Sequence, residues 1–218
     1  MSTADDDIAE QLREALRFLS HDAREGHSST LTLLELHRSG AEPALSTELV
    51  QRLERTASRS LRRIDDFVAL ARARAHPIEL EELDLLDLLY NAVSDAWQAA
   101  EERGVRLKVV DAPEQALVQA DRSLLDAAVG NLVRHALGCA RRGSVLQCAV
   151  RELVQAWSVE IDETPNRAAL PAGGATAPAP TQYGWALVDL VARRMGGAAS
   201  HRDASDHGVR LRVSFPRT

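Results

Sequence analysis

Two stretches in which apolar residues return every three or four positions, broken by a five-residue stop, restrict what this chain can fold into. The first carries Ile8, Leu12, Ala15 and Leu19, then Leu31, Leu34 and Leu36, and runs to about Arg38. Ser2 or Thr3 can cap it, and Asp5, Asp6 and Asp7 suit the positive end of the helix dipole. Gly26 and Ser28-Ser29-Thr30 are weak points, and Ser39-Gly40-Ala41-Glu42-Pro43 is the stop. The second stretch opens at Ser46 or Thr47 and puts Leu49, Leu53, Ala57, Leu61, Ile64, Val68 and Ala71 on one face. It ends near His76-Pro77, because proline disfavours helix in the residue before it. The pattern predicts a hairpin of two long amphipathic helices, and one hairpin cannot cover both apolar stripes. Two hairpins paired as a four-helix bundle can, and a twofold homodimer is the least demanding way to pair them.

Within the first helix lies Phe18-Leu19-Ser20-His21-Asp22-Ala23-Arg24. His21 is two residues past Leu19, so at roughly 100° per residue it points about 200° away from the apolar stripe. An imidazole held outward on a rigid helix, with a carboxylate directly after it, suits a nucleophile with a proton acceptor nearby. A solvated surface histidine has the same local appearance, so the rest of the chain must decide.

Composition narrows the class. A charged fraction of 27% and an apolar fraction of 45% are those of a soluble globular protein. A net charge of −6 argues against a general nucleic-acid binder. Cys139 and Cys148 form no metal cluster and no disulfide framework, and read as reduced core residues. No apolar run reaches membrane-spanning length and the acidic start is no signal peptide, so the expectation is a cytoplasmic protein without membrane insertion, with no recognisable sensor segment before His21. Arg52, Arg55, Arg59, Arg62, Arg63, Arg72 and Arg74 on the second helix read mainly as a solvated face, some of it open to an acidic partner.

After Pro77 the texture changes. Leu83 to Arg103 reads as a helix ended by Gly104, and Val105–Val109 and Ala116–Val118 as short strands. Asp121 caps a helix through Leu124, Leu125, Ala128, Leu132 and Leu137. Strands follow at about Val145–Leu153 and Trp157–Asp162, then a loop from Glu163 to Thr181 rich in Pro, Ala, Gly and Thr. A helix from Tyr183 to Met195 and a strand from Val209 to Phe215 close the chain. Helices interleaved with strands predict an α/β sandwich, so the whole is α+β: a helical-hairpin dimerisation domain over residues 1–76 and a sandwich domain over 77–218.

Together these segments resemble the transmitter part of sensor histidine kinases. Phe18 to Arg24 is similar to that family's phosphoacceptor box. Asp121-Arg122-Ser123-Leu124-Leu125 leading into Asn131-Leu132-Val133-Arg134-His135-Ala136-Leu137 resembles its asparagine box. Trp157-Ser158-Val159-Glu160-Ile161-Asp162 and Gly184-Trp185-Ala186-Leu187-Val188 with Gly196-Gly197 fall where its two glycine boxes belong. The resemblance implies an ATPase-type sandwich after the hairpin, in which Asn131, Asp162 and Gly184 would bind nucleotide and Asp162 would read the adenine amino group.

The departures from the family pattern are as informative as the matches. Where the family repeats Asn to help hold magnesium, His135 stands, and magnesium prefers oxygen ligands to imidazole. Thr164, Asn166 and Gln182 replace glycines that let backbone approach the nucleotide, and Trp185 intrudes. The family's phenylalanine box is missing, and no basic residue stands between Arg167 and Arg193. Glu25-Gly26 replaces the usual small polar residue and proline, at a position on which the family's dephosphorylating activity leans. The resemblance with these departures leads to a dimeric histidine phosphotransferase of a phosphorelay, with His21 exchanging a phosphoryl group with response-regulator aspartates. Asp22 would orient the imidazole and Arg24 would lie near the phosphoryl oxygens, with Ser20, His27 and the second-helix arginines as lesser candidates. The expectation includes no cofactor and no protein-bound metal. Two alternatives stay open: an ATP-dependent autokinase using Mg-ATP at a divergent pocket of Asn131, Asp162 and Gly184, and a non-catalytic pseudokinase that binds a regulator.

Overall fold

The computed structural model describes residues 15, 18, 23–38, 47–75, 77–164, 182–204 and 208–217, and every structural statement concerns these. The chain divides into two compact units, Met1–Val68 and Ala69–Thr218.

In the first unit, α1 (Ala23–Arg38) lies antiparallel to α2 (Thr47–Ala75). Arg63 Nη1 donates to Glu25 Oε2 at 2.7 Å, while an open groove of about 630 Å³ between the helices is lined by Thr32 and Leu36 on α1 and Arg52 and Thr56 on α2. The Phe18 and Phe67 rings stack at 4.1 Å, and Leu33, Leu49, Ser60 and Asp66 are buried. The single apolar face expected of α2 splits in two. Leu49 is buried and Leu53 and Ile64 are half-buried, whereas Ala57 is exposed and Leu61 and Val68 keep 61% and 40% of their surface. The seam against α1 runs through Leu49, Ser60 and Phe67, and at 100° per residue Ala57, Leu61 and Val68 lie about a quarter-turn round from it.

The division between units falls within α2, whose last turns bury Leu70 and Ala73. In the second unit β1 (Glu81–Asp84) pairs antiparallel with β3 (Leu117–Ala120). Asp84 caps α3 (Leu85–Arg103), accepting from the Leu86 N–H at 2.9 Å, and Gly104 ends that helix in the left-handed region at φ 64°. Asp121 caps α4 (Arg122–Cys139) by accepting from Leu124 N–H at 3.1 Å. A five-stranded sheet runs in the order β2 (Arg106–Val110), β4 (Val145–Glu152), β5 (Ala156–Thr164), β7 (Gly208–Pro216), β6 (Ala198–Ala204). Only β2 and β4 are parallel.

Along β7 the period of two is plain: Val209, Leu211, Val213 and Phe215 are buried while Arg210 and Arg212 are exposed. The apolar side carries Leu146, Cys148, Val159 and Ile161 into a core completed by α3, α4 and α5 (Gln182–Arg194). Burial pushes the Cys148 thiol up to about 12, in keeping with an inert core cysteine. At Gly197 an added Cβ would stand 1.8 Å from the Ser214 carbonyl oxygen, so this glycine serves the joint between α5 and β6.

The fold is the expected hairpin followed by an ATPase-type α/β sandwich, with two corrections. The helix expected from Leu83 begins at Leu85, because Glu81–Asp84 form a strand, and β6 was not foreseen. β1 has one buried residue, Leu83, and Ala198-Ala-Ser-His-Arg-Asp-Ala shows no apolar alternation. Edge strands of this kind are specified by the ladder beside them rather than by their own side chains. No described helix is long and apolar enough to cross a membrane.

Candidate functional site

Of the phosphoacceptor stretch, His21 and Asp22 lie outside the described residues, as does Ser20, and Arg24 is described only as helical backbone in the first turn of α1. His27 is exposed one turn further on. Glu25 is committed to Arg63 of α2, which ties the two helices together just beyond the box.

The residues matching the nucleotide-binding boxes are divided between the two sides of the sheet: Asn131 on α4 and Gly184 at the start of α5 lie on the helix side, whereas Asp162, near the end of β5, points to the outer side. Asn131 is buried on α4, and its Nδ2 donates to the Ala127 carbonyl one turn back at 3.0 Å. One turn on, His135 is also buried. Its ring lies 5.3 Å from Trp185 of α5 and 5.2 Å from His201 of β6, and Trp185 and His201 are 5.5 Å apart. Three rings from three elements thus close on one another around His135. Gly184 is buried in the first turn of α5.

Asp162 has a partner of its own. Arg210, its direct neighbour across the β5–β7 ladder, donates from Nε to Asp162 Oδ1 at 2.5 Å, and this pair raises the Arg210 pKa. Next along β5, Glu160 is buried between Arg212 Nε at 2.8 Å and Arg151 Nε at 3.4 Å. Glu163 points to the opposite side and accepts from the Arg141 N–H at 2.8 Å and the Val209 N–H at 3.1 Å, fastening β5 to the loop after α4 and to β7. Thr164 ends β5 with its side chain exposed, Asn166 lies outside the described residues, and Gln182 is described only as backbone opening α5.

Sequence reasoning missed Arg210 and His201. The signal for Arg210 was the alternation Arg210-Leu211-Arg212, which marks an outward arginine but not its partner on β5. His201 carried no signal, since the strand that holds it was not legible.

No protein-family model matches the chain. In sequence it is 28% identical over 223 residues to the sensor protein CutS of Streptomyces coelicolor, covering 98% of this chain and 50% of that protein. It is 30% identical over 129 residues to the sensor histidine kinase TrcS of Mycobacterium tuberculosis, covering 58% of this chain and 25% of that protein. The chain therefore spans half or less of the length of these relatives. In fold it matches the histidine kinase ThkA, solved in complex with the response regulator TrrA. The TM-score is 0.72 at 14% identity, covering 97% of this chain and 64% of that one. The chain is thus similar along nearly its whole length to a sensor protein, over part of it to a sensor histidine kinase, and in its hairpin-plus-sandwich fold to a solved histidine kinase.

Proposed function

We propose that this chain serves two-component signalling as a histidine phosphotransfer protein, passing a phosphoryl group between His21 and the aspartate of a response-regulator receiver domain. The observation that carries this reading is the engagement of Asp162 by Arg210 at 2.5 Å. The carboxylate that would have to accept from an adenine amino group points to the side of the sheet away from Asn131 and Gly184, and it is already accepting from a guanidinium. The buried His135, packed between two rings in the place of the family's second asparagine, adds a poor magnesium ligand. The residues present do not fit Mg-ATP.

Transfer from a phosphorylated regulator needs no nucleotide. The neutral imidazole of His21 gives its lone pair to phosphorus while the P–O bond to the regulator's aspartate breaks, and the carboxylate leaves with that electron pair. Positioning and charge stabilisation supply most of the catalysis. Asp22 would hold the other ring nitrogen and Arg24 would lie near the phosphoryl oxygens. A regulator partner is in keeping with the ThkA structure, a histidine kinase solved with its regulator.

The reading also requires a homodimer, and the exposed apolar residues of the first unit support one. On α1, Leu31 and Leu34 keep 60% and 42% of their surface beside the buried Leu33. Leu34 lies about a quarter-turn round from Leu33, as Leu61 and Val68 do from the seam on α2, and Leu31 lies about 160° round on the same hand. The helices run in opposite directions, so equal turns from facing seams bring both shoulders to the same side of the hairpin. One hairpin thus presents Leu34, Leu61 and Val68 on one side, with Leu31 at its outer margin, and a second copy would cover that side by twofold symmetry.

The test is phosphotransfer from a panel of phosphorylated receiver domains. Acid-labile phosphate should reach wild-type protein and not His21→Ala, whose helix content and dimer mass should be unchanged. Calorimetry with Mg-ATP should show no binding at cellular nucleotide levels. A second reading, the ATP-dependent autokinase, draws on the retention of Asn131, Asp162 and Gly184 in an intact ATPase-type fold. Micromolar Mg-ATP binding with label moving to His21 would replace the first reading by this one. Regulator binding with no phosphate ever on His21 would leave the pseudokinase.

A further inference from the structure

The outer side of the five-stranded sheet is strongly cationic. The strand registers align Lys108, Gln147, Asp162, Arg210 and Arg202 in one row from β2 across to β6. Arg106, Arg151 and Arg212 share that side, and all six cationic side chains are exposed. Among the described residues three carboxylates engage them, Glu160, Asp162 and, from just past the end of β2, Asp111, in a chain whose net charge is −6. Glu160 engages Arg151 and Arg212, Asp162 engages Arg210 and Asp111 engages Arg151, so among the described residues the cations of this side without an ion pair are at the two edges: Arg106 and Lys108 on β2, Arg202 on β6.

The opposite layer of the same unit holds the complementary surface. Helix α3 carries Asp87, Asp95, Glu101 and Glu102, all exposed, against the single Arg103, which donates to the Gly138 carbonyl at 3.2 Å. It also carries Tyr90 and Trp97, with 51% and 54% of their surface exposed. They are the only exposed Phe, Trp or Tyr side chains among the described residues, and a separation of seven places them within about 20° on one stripe. Asp87 and Glu101 bracket that stripe.

Lengths agree as well as charges. Asp87 to Glu101 spans about 21 Å at 1.5 Å per residue. Lys108 to Arg202 spans four strand spacings, about 19 Å. A helix laid across the strands would set a carboxylate over the cations at each edge. Tyr90 and Trp97 would fall over the middle strands, where Arg210 and Arg212 meet carboxylates with Nε and keep their planar faces for stacking.

We propose that the cationic outer side of the sheet is a docking surface for the acidic, aromatic side of α3 on a second copy of this chain. The two surfaces differ, so the contact is head-to-tail and adds copies beyond a twofold hairpin dimer. It is independent of phosphotransfer at His21.

Lys108 gives the test a unique handle, because the 218-residue sequence holds one lysine against 25 arginines. Equal amounts of ¹⁵N-labelled and unlabelled full-length protein are mixed and treated with a carbodiimide, which joins an amine to a carboxylate in contact. Mass spectrometry should find mixed-isotope peptides linking Lys108 to Asp87, Asp95, Glu101 or Glu102. Their yield should fall about tenfold in 1 M salt, where the Debye length is near 3 Å, and about as far in Arg202→Glu and in Trp97→Ala. Both variants change exposed side chains, and circular dichroism checks that they fold. Single-isotope links only, links from Lys108 to carboxylates outside α3, salt-insensitive links, or no Lys108 link at the highest soluble concentration would each overturn the proposal. An acidic partner of another kind would then be the occupant to seek.

Discussion

The two units solve the problem of burying apolar surface in opposite ways. The second closes a core on itself: Leu125, Leu132, Leu146, Ile161, Leu187 and Leu211 are fully enclosed between the helix layer and the inner side of the sheet. The first does not. Among the described residues, six of the ten large apolar side chains left exposed, Leu31, Leu34, Leu36, Val50, Leu61 and Val68, belong to the hairpin, which also buries the polar Ser60 and Asp66. A two-helix hairpin has one inner seam, and its remaining apolar stripe faces water until another chain covers it. A sandwich of sheet and helices buries both layers against each other without help. On the proposed reading the first unit depends on association, whereas the second rests on its own packing.

Substitutions in each unit can break that contrast. The largest effect is expected from Ile64→Glu on α2, where the half-buried side chain beside the proposed association face would carry a charge into the dimer at a cost of about 3–5 kcal/mol. Light scattering should then report monomer, with loss of helix from the hairpin only. A wild-type monomer at micromolar concentration would remove the contrast altogether. Next comes Leu125→Ala, which leaves a cavity in the closed core and should cost about 2–5 kcal/mol, read by denaturant unfolding of the second unit with the dimer mass unchanged.

Gly197→Ala should cost about 1–3 kcal/mol, since its Cβ would meet the Ser214 backbone, and hydrogen exchange should localise the loss to β6 and β7. The smallest effect belongs to Asp121. Burial opposes its charge, but the Ser123 hydroxyl and the N–H groups of Leu124, Glu79 and Ser123 outweigh that and lower its pKa. A depressed carboxyl pKa contributes stability above the unfolded value near 3.9, and that contribution is lost as pH falls through the lower folded value. Asp121→Ala should cost about 1 kcal/mol at neutral pH. Asp121→Asn should keep the cap and flatten the loss of stability in acid, measured by thermal unfolding between pH 5 and pH 2 (about the window the shift sets).

Much of the architecture was legible in the residues because it rests on local chemistry. The stop at Ser39–Pro43, the caps at Asp121 and Gly104, and the alternation along β7 each act within a few residues of chain. So do the helical periods of α1 and α2, which is why the hairpin and the order of boxes could be read without coordinates. What tertiary structure alone decided is pairing. Whether Asp162 faces open space or a guanidinium depends on β5 lying beside β7 in the register Asp162 to Arg210, 48 residues apart. Whether His135 stands clear or packs against Trp185 and His201 depends on α4, α5 and an edge strand converging. The split of the α2 face into a buried seam and an exposed shoulder depends on which side α1 takes. A period of 3.6 residues marks an apolar arc but not how much of it one neighbour can cover.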